Sequence, residues 1–263
     1  MRKNGATQET PPIQSLDRGL VILEAVSRSS EPVSLAELTN LLGIDRSSVF
    51  RLANTLKRRG FLAYPTGRKD YILGSALWRL AHQYDWGNML IRFSHEGLKK
   101  LAARTNETAH LAIREGKSAL FIDHAAVNHV IAVSGQTGEM VPLYCTAHGK
   151  ALLTDLDQQE LRSLFGSSLK SYTKQTVRTV AQLADTCAQI RAQGFASDDG
   201  EFQEGVRCVA APIRAQSGMV IGSIGISAPL LRFPKERYLA CGEQVREVAD
   251  EISAAFSAQH KES

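Results

Sequence analysis

Residues 42–61, LGIDRSSVFRLANTLKRRGF, interleave five cations with an apolar series, and that combination is the first in the chain able to do chemistry. Val49, Leu52, Ala53 and Leu56 recur at i, i+3, i+4 and i+7, so they share one face of a helix and are predicted to be buried. Arg46, Ser47, Ser48 and Arg51 then lie near the amino end on other faces, where backbone amides also favour phosphate. Arginine can grip guanine O6 and N7 together, and serine can serve a base edge or a phosphate, so these four residues are candidate readers of double-stranded DNA. Arg68 and Lys69, in a downstream turn, are candidates for backbone or minor-groove contact. A solvated helix face is the competing reading, since a charge run by itself gives only solubility. Lys57, Arg58 and Arg59 stay outside the set, because cations at a helix carboxyl end are favoured by the macrodipole anyway.

A second constellation is Cys145-x-x-His148 with Asp198 and Cys208. Thiolate, imidazole and carboxylate could together hold a metal, but one such spacing without a second pair is a weak signal. Alternatively, backbone amides near His148–Lys150 would hold a small anion, with Asp198 accepting a hydroxyl or orienting a water. Each residue also has a bland role. His148 could be a hydrogen-bonded core histidine, Cys208 a buried small hydrophobe, and Lys150 a partner in a salt bridge. Nucleophilic catalysis has less support. Gly222-Ser-Ile-Gly225 is not the G-x-S-x-G elbow, and there is no dinucleotide fingerprint or P-loop. A Cys208/His148 pair in the middle of an apolar CVAAP run would be poorly exposed to substrate. No cofactor is expected, and an enzyme or a metal-dependent sensor remains the alternative function.

Positioning the DNA-reading set requires a compact scaffold. Ser15 can cap a first helix carrying Leu16, Leu20, Leu23 and Val26, ending near Ser27–Ser30. Ser34-x-x-Glu37 is a capping box for a second helix, which Gly43 ends, and Asp45 can cap the third, which Gly60 stops. Phe61–Tyr64 and Tyr71–Leu73 read as two short strands around a basic turn. Three helices and a hairpin are the order of a winged helix-turn-helix. From Ser75 to about Arg104 a helical period returns, with Gly87 and Gly97 as expected breaks, and reads as a connecting helix. Beyond Thr108, strand-like runs (108–114, 119–122, 129–133, 207–213 and 219–227) alternate with helices at 149–153, 157–165, 180–193 and about 235–258. Strands and helices in separate groups predict an α+β fold.

The 263 residues suit two domains. Residues 1–80 hold 12 Lys and Arg against 7 Asp and Glu, leaving 19 against 20 in the remainder, so the basic character belongs to the first third, as an anionic partner requires. No apolar run of about 18 residues is present to span a bilayer. The polar start, MRKNGATQETPPIQS, lacks the apolar core of a signal peptide, so a cytoplasmic location is expected and residues 1–14 read as a disordered arm. Four scattered cysteines are expected to be reduced thiols.

The chain resembles the IclR family of bacterial transcriptional regulators over nearly all of its length after residue 14. SLDRGLVILEAV, LAELTNLLGIDRSSVFRLANTLKRRGFL, Tyr71-Ile-Leu-Gly, TAHGKALL (146–153) and GVRCVAAPI (205–213) carry the resemblance, through their order and spacing rather than any single motif. It implies a winged helix-turn-helix over 15–74, a linker helix over 75–104 and a GAF-like α/β ligand-sensing domain over 105–263. Homodimers formed through the DNA-binding region, often paired into homotetramers, operator DNA as partner and a small-molecule effector are implied with it. Carried over by motif, Ala147, His148, Asp198, Val206, Cys208, Gly225 and Ser227 would line the effector pocket, with Val130, Val133 and Val141 as apolar walls. His148 and Gly225 depart from the small and hydroxyl-bearing residues of the glyoxylate-responsive member, so that effector does not transfer. A repressor sensing a carboxylate or aromatic acid is the function implied.

Overall fold

The computed structural model describes residues 13–82, 85–127, 129, 133 and 135–259. The chain divides after Asp85 into two compact units.

In the first unit, α1 (Gln14–Arg28), α2 (Leu35–Leu42) and α3 (Arg46–Arg58) precede a two-stranded antiparallel wing, β1 (Leu62–Ala63) and β2 (Ile72–Leu73), and then α4 (Ser75–His82). The apolar stripes meet as their spacing requires: Ile22 and Val26 of α1, Leu38 of α2, and Val49 and Ala53 of α3 are buried together with Leu62 and Tyr71. The caps are local and follow the sequence. Ser34 and Glu37 close a reciprocal capping box, and Gly43 ends α2 at φ 62°, a left-handed conformation that costs glycine no Cβ clash. One cap differs from expectation: Ser15 lies inside α1, whose amino end is Ile13 without a side-chain cap.

The second unit is α+β. It opens with α5 (Asp85–Thr105), so the segment expected as one connecting helix forms two, α4 and α5. Leu90, Leu98 and Leu101 of α5 are buried in this unit's core. Gly87 and Gly97 do not break α5. A Cβ at Gly97 would fall 2.9 Å from the Ile252 side chain of α9 (Arg237–Gln259), so glycine serves helix contact here.

Six strands follow: β3 (Thr108–Glu115), β4 (Ser118–Ala125), β5 (Met140–Pro142), β6 (Ala196–Asp199), β7 (Val206–Arg214) and β8 (Val220–Pro229). They form one antiparallel sheet in the order β5-β4-β3-β8-β7-β6. Successive residues face opposite sides of a strand. Leu111, Val209, Ile224 and Ile226 pack with α5 and α9 on one side. On the other, Cys208 and Ala210 meet α6 (Ala147–Leu152) and α8 (Val180–Gln193). Ala112 and Phe121 join the apolar cluster that also receives α7 (Gln158–Phe165). The strand expected at 129–133 falls mostly outside the described residues. Two short strands, β5 and β6, carry too little periodicity to be read in advance.

Candidate nucleic-acid interface and ligand cavity

In the first unit, three residues, Gly43 to Asp45, separate α2 from α3. Asp45 caps α3: its Oδ1 accepts the Ser48 amide at 2.9 Å and the Ser47 hydroxyl at 2.6 Å. The Ser47 hydroxyl, followed by Ser48, holds the Asp45 carboxyl far below the usual carboxylate range. The carboxylate takes one of the free amides of this helix end, the cap expected from the sequence, and adds a negative charge beside the others. Arg46, Ser47 and Arg51 are exposed and Ser48 is half-buried.

The cationic set is larger than the sequence suggested. Arg18 of α1 borders the same surface pocket as Ser48, Arg51 and Thr55. Nothing in local periodicity assigns it there, because the pocket joins two helices. On the wing turn, Lys69 is exposed, while Arg68 Nε donates to Asp70 Oδ2 at 3.0 Å. Lys57 lies 4.1 Å from the Tyr64 ring centroid, engaged with an aromatic face rather than reaching outward.

In the second unit, three cross-strand rows build the floor of a cavity under α6. Asp198, Cys208, Ser227 and Thr108 are neighbours across β6, β7, β8 and β3. Ala210, Gly225, His110 and His124 form the next row, and Pro212, Ser223, Ala112 and Phe121 the third. The enclosed space is about 60 Å³. Of the motif-derived residues, Ala147, His148, Asp198 and Cys208 line it, as do Val206 and Ser227, with Val133 and Val141 on the apolar side. Val130 lies outside the described residues.

Gly225 lies in the floor row beside His110 but is not itself among the lining residues; a Cβ there would collide with the Val209 carbonyl and Ala210, so the position serves close approach of β8 to β7. Unanticipated wall residues are His110, Phe121, Phe202 and Gln203. The alternation Thr108-Ala-His110-Leu did carry a signal for His110, since it puts an imidazole on the same strand face as Thr108.

The chemistry of this cavity is that of neutral imidazoles. His110 is 1% exposed, and its ring nitrogens make no hydrogen bond of good geometry to the described residues, the Gly135 backbone being the polar group against the ring. Burial, reinforced by His124, pushes its pKa down to about 4. His148 Nδ1 lies 3.0 Å from Ser223 Oγ, its Nε2 has no such partner, and burial followed by His110 pushes it down to about 3. The two rings stand at right angles, 6.1 Å apart, with Phe121 against both. A neutral imidazole carries one donor and one acceptor, so the pair supplies both kinds of group to a bound molecule.

Asp198, 3% exposed, accepts the Glu201 amide at 2.7 Å; burial raises its pKa to about 7 against the pull of Lys150. Lys150 itself makes a salt bridge with Glu201, their side chains 3% and 14% exposed. The amide expected to hold an anion is taken in part, because the Gly149 N–H donates to the Thr146 hydroxyl at 3.1 Å. Cys208 Sγ donates to Ser227 Oγ at 3.2 Å, and burial pushes its thiol far up, the opposite of what an activated nucleophile requires. Cys145 packs in an apolar cluster while His148 lines the cavity, so the C-x-x-H pair is not brought together. Among the described residues no group of three or more His, Cys, Asp or Glu could hold a metal ion.

Comparison with known proteins bears on both surfaces. Residues 15–65 match the IclR helix-turn-helix domain model and residues 87–254 the Bacterial transcriptional regulator IclR C-terminal model. The chain is 30% identical over 260 residues to the acetate operon repressor of Salmonella typhimurium, covering 97% of this chain and 95% of that one. It is 31% identical over 234 residues to the HTH-type transcriptional regulator KdgR of Escherichia coli, covering 89% of each. Among solved structures, the Thermotoga maritima IclR superposes with a TM-score of 0.74 at 25% identity, over 94% of this chain and all of that one. An IclR homolog complexed with 4-hydroxybenzoate from Microbacterium hydrocarbonoxydans superposes with a TM-score of 0.82 at 20% identity, over 93% and 99%.

Proposed function

Because the chain belongs to the IclR family of bacterial transcriptional regulators, and is thus a regulator of transcription rather than an enzyme, we propose that it represses its target by holding an operator and releases it on binding a small acid. The observation that carries this reading is the exposed Arg46, Ser47 and Arg51 surface of α3, held by buried Val49 and Ala53 behind a three-residue turn. In helix-turn-helix proteins that end of the second helix enters the major groove. Arg68 and Lys69 contact the backbone beside it. Repression is supported by relatives named as repressors.

Functionally, residues 15–74 bind DNA, residues 75–104 link, and residues 105–263 sense the effector. A homodimer, itself able to pair into a homotetramer, matches a pseudo-palindromic site. Exposed Leu16, Leu20 and Leu73 in the first unit support self-association, since apolar side chains left in water favour burial against a second copy. The effector enters the cavity beside His110, His148 and Asp198. A carboxylic acid fits a lining of donors and acceptors against Phe121, and the 4-hydroxybenzoate bound by the Microbacterium relative supports an aromatic acid. For release to occur, the acid must bind the DNA-incompetent arrangement more tightly, because equal affinity would shift nothing.

The test is operator binding across a salt series with wild type and Arg51→Ala. A base-reading Arg51 costs roughly 1–3 kcal/mol on the operator and little on random DNA. Equal loss on both would make it a phosphate contact, and no preference for any promoter fragment would sink the reading. A thermal-shift screen of small acids, each hit repeated with operator present, tests the effector half.

A further inference from the structure

Phe50 is the large apolar residue of α3 that the core does not use. It follows Arg46 by one turn and adjoins Arg51, and it is 46% exposed although its neighbours Val49 and Ala53 are fully buried. Its ring forms one wall of a surface groove shared with Arg46, with Tyr64 and Lys69 of the wing, and with Ser34 of α2. A phenyl group left in water beside cations forfeits the free energy that burial would give it. It has no donor or acceptor to offer a phosphate or a base edge. What it can recognise is an apolar group, and among the major-groove edges of the four bases only thymine presents one, the C5-methyl.

The cations around it fix the setting. Arg46 precedes it by one turn, and Lys69 and Asp70 line the same groove, so a duplex that takes α3 into its major groove brings base edges to the ring. We propose that Phe50 is a specificity-determining residue that reads a thymine by packing on its methyl group. The inference rests on the assignment of α3 as the recognition helix. It adds to the arginines a contact that senses a methyl rather than a hydrogen-bond pattern.

The experiment first selects a binding site for the full-length protein from a random duplex pool. Each thymine of the recovered site is then replaced singly by deoxyuracil, which removes the methyl and keeps the base pair. Wild type should lose about fourfold in affinity at one thymine per half-site, the transfer value of one methyl. Phe50→Ala should bind the thymine and uracil forms of that position alike, and Phe50→Leu should retain part of the discrimination. A site with no uracil-sensitive thymine overturns the proposal. Sensitivity that persists in Phe50→Ala overturns it too, since another residue then reads the methyl. If Phe50→Ala weakens random and selected DNA equally, or changes the oligomeric state, Phe50 is a packing residue. A pool that yields no consensus instead fails the DNA-binding assignment, which separates the two failures. Should Phe50→Ala not fold, the uracil scan on wild type and Phe50→Leu still decides.

Discussion

His110, His148 and Asp198 give the ligand cavity a pH signature that can be worked out in sign and size. The folded pKa values of the two histidines, about 4 and about 3, lie below the ordinary imidazole value, so between about pH 4 and 6.5 the unfolded chain binds two protons that the folded chain does not. Their contribution is fully present above about pH 6.5 and is lost as pH falls. Asp198, at about 7 when folded, does the reverse: in the same window the folded chain binds one proton that the unfolded chain lacks, so its contribution is lost as pH rises. The three groups together leave a net excess of one proton on the unfolded chain, a slope of about 1.4 kcal/mol per pH unit, with stability rising toward neutrality. Replacing His148 by Phe removes one proton from the unfolded side and should lower the measured slope by about 1.4 kcal/mol per pH unit. Asp198→Asn should raise it by about the same amount. The assay is urea unfolding of the full chain by circular dichroism at pH 4.5, 5.5 and 6.5, comparing slopes rather than absolute stabilities, because other groups cancel between variants. Slopes unchanged by both substitutions would refute the claim that these side chains are enclosed away from water.

Other perturbations act on packing and pairing. Lys150→Met removes one member of a buried ion pair and leaves the Glu201 carboxylate without its cation. Because Glu201 keeps 14% exposure, the loss should fall at the low end for such pairs, about 3 kcal/mol by urea denaturation. Adding Glu201→Leu should recover most of that loss, since an apolar pair of similar volume leaves no unpaired charge. Gly225→Ala should destabilise by roughly 1–3 kcal/mol through its clash with β7, and in the folded fraction leave ligand affinity unchanged, measured by calorimetry. Thr146→Ala, which deletes the cap of α6, should cost about 1 kcal/mol by the same denaturation assay.

The exposed basic face of α3 was largely legible in the residues because everything that builds it is local. Ser34 with Glu37, Gly43 and Asp45 fix where α2 and α3 begin and end, and the Val49, Leu52, Ala53, Leu56 spacing fixes which face turns inward. Even here tertiary placement added what spacing could not: Arg18 beside Arg51 and Lys57 over Tyr64. The exposure of Phe50 is of the same kind, since an aromatic on a helix reads as core until its neighbours are known.

The cavity was legible only through family motifs, and then in part. TAHGKALL and GVRCVAAPI pointed to Ala147, His148, Val206 and Cys208, which line the cavity, but gave no sign of His110, Phe121, Phe202 and Gln203. By itself the sequence determined most of its helices and the caps at Ser34 and Asp45, because those depend on contacts within a few residues, while the Ser15 cap, the division of α4 from α5 and the short β5 and β6 escaped it. Which side chains share one cavity was decided by the pairing of β8 with β7 and of β3 with β8, the latter setting residues more than a hundred positions apart side by side. A one-residue slip in either register would turn His110 away from the cavity, and no local pattern encodes that register.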